Sequence, residues 1–156
     1  ARSSAGTRKI AMRDFCAGAM TTALTAEECL TEIRLPLWRD AGRIGTGFAE
    51  MSVRQSDFAL VAAACQLVLD KDGLCRRIAL GIGGAEASPV RAAAAEARLA
   101  GTRLEEGDIA QAMDALQAAL SPLSDVHASA DYRRRVAGAL AVRAIAEARD
   151  EARAAA

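Results

Sequence analysis

Asp125, His127 and Ser129 place the three residue types of a hydrolytic triad in one short segment. A triad works because base and nucleophile face each other from separate elements, with a third group orienting the base. Alternate residues of a single segment do not meet in that way, so SDVHASAD reads as turn and helix-cap chemistry. His127 is left as a hydrogen-bonding or partner-contact residue. Glu27 and Glu28 are adjacent and diverge, which does not suit the paired carboxylates of a glycosidase. Cys16, Cys29, Cys65 and Cys75 lack CxxC spacing and the chain has 1 His, so a zinc centre is not expected. Free, mostly buried thiols are expected instead, and they point to a cytoplasmic setting. The glycines of RDAGRIGTG (39–47) lack the Lys-Ser/Thr ending of a phosphate loop and are expected to connect two strands. Those of GIGG (81–84) are expected to form a tight strand exit. Arg54 and Asp57 form a local charge pair. No complete catalytic constellation emerges.

The elements that would carry these residues follow from periodicity. CLTEIRLP alternates, with Thr31, Ile33 and Leu35 on one side, and predicts a strand that ends at Pro36. A second strand is expected over 48–54. The segment ALVAAACQLVLDKDGLCRRIALGIGG carries two alternating runs around Asp72-Gly73, a pair that favours a type I′ hairpin turn. Centring the turn there pairs Leu69 with Arg76, Leu67 with Ile78 and Cys65 with Leu80, and sets Cys65 and Cys75 on opposite faces, too far apart for a disulfide. Ser88-Pro89 predicts the start of a helix that ends at Gly101. Glu105, Glu106 and Asp108 open a second helix with an Ile109, Met113, Leu116, Leu120 stripe. Ser129 caps a third, whose end from Arg149 (149–156) is expected to fray. Strands followed by helices predict an α+β two-layer sandwich, with an antiparallel sheet of three to four strands against about three helices.

Composition narrows the function. The chain has 156 residues, 20 Lys+Arg against 20 Asp+Glu, 52% hydrophobic and 26% charged residues, which fits a soluble globular domain. A net charge of +0 offers no electrostatic footprint for nucleic acid or an anionic membrane. Aromatics at 3% leave few stacking platforms for bases. The longest apolar stretch (58–68) is too short for a membrane span. The opening ARSSAGTRKI has no apolar centre of a signal peptide, and the lack of an initiating Met reads as a fragment or a processed product.

The series TTALTAEECLTEIRLP, GFAEMSVRQSDFALVAAACQLVLD, RRIALGIGGAEASPVRA and SDVHASADYRRRVAGALAVRA, in that order, resembles the FAD-binding medium subunit of the molybdenum hydroxylases, the xanthine dehydrogenase and carbon monoxide dehydrogenase group. The resemblance implies a C-terminal portion of that subunit: 1–36 as the remnant of the end of an FAD-binding domain, 37–148 as the C-terminal α+β domain, and 149–156 as a tail. It implies FAD as cofactor, with the molybdenum cofactor and 2Fe-2S clusters on a large and a small partner subunit, and an upstream FAD-binding segment. The chain's role would be to help form the flavin site that passes electrons from the iron–sulfur clusters to an acceptor. The family's pyrophosphate-binding glycine loops are not matched here. Leu30 stands where relatives place a leucine against the isoalloxazine, and Ala49 where they place a lysine near the flavin. Arg54 and Asp57, and Tyr132-Arg133-Arg134, match two further family patterns that read as structural. The alternative is a stand-alone subunit-assembly domain without redox activity.

Overall fold

The computed structural model describes residues 1–38, 42–54 and 57–155. Two units divide the chain, Ala1–Arg39 and Asp40–Ala156.

In the first unit, short ribbons replace a core. Strand β1 (Arg2–Ser3) pairs antiparallel with β2 (Gly6–Thr7), and a one-turn helix α1 (Met12–Phe15) leads into the ribbon of β3 (Cys16–Gly18) and β4 (Thr21–Thr22). Arg2 and Cys29 exchange two backbone hydrogen bonds of 2.9 Å. Arg8 donates through Nη2 to Glu28 Oε2 at 2.8 Å and to the Ala23 carbonyl at 2.7 Å. The Arg8 guanidinium, with the Thr25 N–H, holds the Glu28 carboxyl down at about 2. None of the described residues of this unit is buried. The strand expected from CLTEIRLP does not form: beyond the Cys29 bridge, residues 30–36 carry no strand. Alternation puts side chains on two sides, but only a neighbouring strand satisfies the backbone.

The second unit is built on a long hairpin. Strands β5 (Arg43–Ser52), β6 (Ala59–Leu69), β7 (Cys75–Gly83) and β8 (Val90–Arg91) form one antiparallel sheet in that order. Leu67 faces Ile78 and Cys65 faces Leu80, as expected, but a register shift at Val68/Leu69 sets Leu69 against Cys75 rather than Arg76. The turn explains the difference. A type I′ turn needs positive φ at both central residues, whereas here only Gly73 (φ 78) is left-handed. The Asp70 carboxylate binds the N–H groups of Asp72 and Leu74, each at 2.9 Å, and tightens the loop. The shift also carries Cys75 into the core beside Leu69. Cys65 and Cys75 are both free thiols, and burial pushes them up to about 12 and about 11.

Helices α2 (Ala93–Leu99) and α4 (Ala130–Ala154) lie on one face of this sheet, and α3 (Glu106–Ala119) packs against both of them. The stripe Ile109, Met113 and Leu116 is buried as its spacing requires, and Asp108 accepts from the Glu105 N–H at 3.1 Å to cap α3. Helix α2 starts at Ala93 and not at Ser88-Pro89, because Val90 and Arg91 pair with Ile82 and Gly81 as an edge strand. Nor does the end of α4 fray at Arg149. Ala148 and Ala152 are buried, and Arg149 Nη1 donates to the Leu104 carbonyl at 3.0 Å. The layers meet closely because β5 offers glycine. A Cβ on Gly45 would lie 1.8 Å from the Ala148 carbonyl oxygen, and one on Gly47 2.1 Å from that of Ala144. Gly45 and Gly47, expected in a connecting loop, are therefore strand residues that let a helix backbone rest on a strand backbone. Arg39 to Ala41 of the same expected loop lie outside the described residues.

Candidate functional site

The start of α4 gathers most of the residues singled out above. Ser129 caps the helix, its Oγ accepting from the Tyr132 N–H at 3.2 Å. Asp125 Oδ1 accepts from the backbone N–H groups of His127 and Ala128, each at 2.9 Å, and not from the imidazole. Asp125 Oδ2 accepts from Arg133 Nη2 at 2.7 Å. The Ala128 N–H, then Arg133, then the His127 N–H hold this carboxyl down at about 2. Asp125, His127 and Ser129 thus form a turn and a cap, with no nucleophile facing a base.

Arg133 is the buried centre of this corner, 6% exposed. Its Nη1 donates to the carbonyls of Leu60 at 2.6 Å and Gly84 at 2.7 Å, which ties the entry of β6 to the exit of β7. Its Nε has no partner among the described residues. The close approach at Gly84 (φ +75), where a Cβ would lie 2.5 Å from the Leu60 carbonyl oxygen, makes the GIGG segment the tight exit expected of it. Sequence spacing gives no signal for the Arg133 knot, because its partners lie 73, 49 and 8 residues away.

Beside this corner lies an open cleft of about 540 Å³, lined by Met51, Ser52, Val53, Leu60, His127 and Tyr132 among others. At the other end of the sheet a hollow of about 640 Å³ is lined by Arg43, Leu69, Asp70, Lys71, Asp72 and Arg76 among others. No group of three or more His, Cys, Asp or Glu among the described residues is placed to hold a metal ion.

The sheet face turned away from the helices is the broadest candidate surface. Alternation along β5 and β6 puts Ile44, Phe48 and Ala64 on it, and Phe48 is 58% exposed. Ala62, Ala64, Ala79 and Gly81 on this face are small, while Thr46, Glu50, Gln66 and Arg77 make it mixed in character. Ala49, on the opposite side of β5, packs against the helix-side core. Leu30 belongs to the first unit, where it is 42% exposed and lies just beyond the Arg2–Cys29 bridge.

Residues 46–148 match the family described as the CO dehydrogenase flavoprotein C-terminal domain. The chain belongs to that family. It is 31% identical over 153 residues to the "6-hydroxypseudooxynicotine dehydrogenase complex subunit alpha" of Paenarthrobacter nicotinovorans, covering 98% of this chain and 51% of that one. It is 32% identical over 150 residues to the "Carbon monoxide dehydrogenase medium chain" of Afipia carboxidovorans, covering 95% and 50%. Among solved structures, quinoline 2-oxidoreductase from Pseudomonas putida 86 superposes with a TM-score of 0.85 at 32% identity, covering 96% of this chain and 50% of that one. The chain spans about half the length of the curated relatives it matches.

Membership of a flavoprotein family poses a fit test. A flavin dinucleotide needs its pyrophosphate met by converging backbone N–H groups, typically from glycine loops. The glycines best placed by sequence are already committed here, Gly45 and Gly47 to α4 and Gly84 to the Leu60 carbonyl. Gly45, Gly47 and Gly84 are therefore not free to grip a pyrophosphate.

Proposed function

We propose that this chain is the C-terminal portion of the FAD-carrying medium subunit of a molybdenum hydroxylase. The observation that carries the proposal is the family match over 46–148, together with relatives whose aligned half is the same. A stand-alone assembly domain has no such support. When bound, FAD supplies exchange of electrons between one-electron carriers and an acceptor. Of the chain's own residues, Leu30 in the first unit, 42% exposed, is the one read as touching the flavin ring. Residues 1–36 are read as the end of the FAD-binding domain and 37–148 as the C-terminal domain. The phosphate grip belongs to the upstream half of the subunit, and the molybdenum cofactor and 2Fe-2S clusters to a large and a small partner subunit. The free thiols are in keeping with the cytoplasm.

The test is purification of the tagged protein from its native source, followed by flavin, molybdenum and iron analysis of what accompanies it. The expected result is a complex holding all three. Recovery with neither an iron–sulfur nor a molybdenum subunit would refute the reading. The 156-residue chain by itself is expected to fold but remain colourless, because several charge-assisted hydrogen bonds, each worth about 1.5–3 kcal/mol, are missing from the phosphate grip. Saturable micromolar quenching of FAD fluorescence by the chain alone would place the grip within it.

A further inference from the structure

A long, straight edge strand is a template on which another strand can pair. β5 is an edge strand 10 residues long, regular up to a register shift at Met51/Ser52, and among the described residues it pairs with β6 alone. The amides of Thr46 and Phe48 point away from β6, and both are taken. Glu151 Oε2 accepts from the Thr46 N–H and, at 2.8 Å, from the Thr46 hydroxyl. Glu147 Oε2 accepts from the Phe48 N–H at 3.0 Å. The two glutamates stand one turn apart on α4, next to the Ala144 and Ala148 carbonyls that rest on Gly47 and Gly45. The helix thus lies on the sheet while its side chains fold over the edge. On the far side of the sheet, the part of β7 beyond β8 is also partly occupied. Leu80 N–H donates to Glu96 Oε1 at 2.8 Å, and the Cys75 N–H and carbonyl are used by Thr102 and Gly101 at 2.7 and 2.8 Å.

We propose that Glu147 and Glu151 are a built-in block against strand addition at the β5 edge, so that neither an extended peptide nor β5 of a second copy can pair along β5. A carboxylate suits the task because its oxygens only accept. An incoming strand would have to displace an acceptor already held in place by α4 before it could offer its own carbonyl. The block does not depend on the flavin assignment.

Amide hydrogen exchange in the 156-residue chain tests it without any variant. The Thr46 and Phe48 amides are expected to exchange about tenfold slower than those of Ile44 and Glu50, which point the same way without a glutamate. Equal rates would overturn the proposal. Sedimentation velocity gives the second test. The Glu147→Ala/Glu151→Ala variant is expected to rise in average mass with concentration, while Glu147→Gln/Glu151→Gln, whose amide oxygens still accept, keeps the parent's mass. A folded alanine variant with the parent's mass at every concentration refutes the block. So does a glutamine variant that associates like the alanine one, since charge and not occupation of the amides would then keep strands apart. Should the alanine variant fail to fold, the exchange rates decide.

Discussion

Replacing Gly45 with alanine tests the claim that glycine sets the distance between β5 and α4. The added Cβ would lie 1.8 Å from the Ala148 carbonyl oxygen and 2.8 Å from the Ala152 amide nitrogen, both backbone atoms that no rotamer change can move aside. To restore an ordinary contact of 3.4 Å, α4 must retreat by about 1.6 Å. That retreat opens the layer over Ala144, Ala148 and Ala152, all fully buried, and pulls Glu147 and Glu151 from the strand edge. Overpacking alone costs about 1–3 kcal/mol. With the loosened layer added, about 3 kcal/mol is expected, or a fall in melting midpoint of roughly 6–12 °C for a chain of this size. Gly83→Ala is the control, because its Cβ would meet nothing within 4 Å. Urea unfolding of both variants beside the parent gives the measurement. A Gly45→Ala chain within about 0.5 kcal/mol of the parent would refute the reasoning.

Three further outcomes are expected. Asp125, held at about 2, gives stability that is complete above its ordinary value of about 4 and lost as pH falls towards 2, so Asp125→Asn should flatten the thermal midpoint between pH 4 and 2; an unchanged slope would contradict this. Thiol labelling at neutral pH should reach Cys29 and Cys16 in the folded chain and spare Cys65 and Cys75, whose thiolates are suppressed by burial, until denaturant is added; rapid native labelling of Cys65 would be the failing result. Leu30→Ala should change the stability of the 156-residue chain by less than about 1 kcal/mol, since Leu30 is half-exposed, yet weaken flavin binding in the complete subunit; unaltered flavin affinity would remove Leu30 from the site.

Legibility followed the range of the interactions. The β6–β7 hairpin, α3 and the cap of α4 rest on neighbours in sequence, and their patterns were visible in ALVAAACQLVL, in the Ile109 to Leu116 stripe and in Ser129. The errors arose where a distant partner decides. Gly45 and Gly47 look like loop residues until α4 is laid on them, and Val90-Arg91 looks like a helix start until β7 is beside it. CLTEIRLP alternates like a strand but finds no ladder. The Asp125–His127–Ser129 segment could be dismissed as a triad from spacing alone, whereas Arg133 stood out only as part of the family's Tyr-Arg-Arg pattern, with nothing to show that it binds Asp125. The family was legible because its motifs recur in order along the chain.

Arg133 also bears on the order of folding. Its carbonyl partners lie 73 and 49 residues away along the chain, at Leu60 and Gly84. Those oxygens come together only when β6 and β7 have already paired, so the guanidinium closes a loop whose entropy other contacts have met beforehand. Interactions formed that late are expected on the native side of the barrier. They set the lifetime of the folded chain and leave its rate of formation almost untouched, so in a chevron plot the loss of Arg133 falls on the unfolding limb.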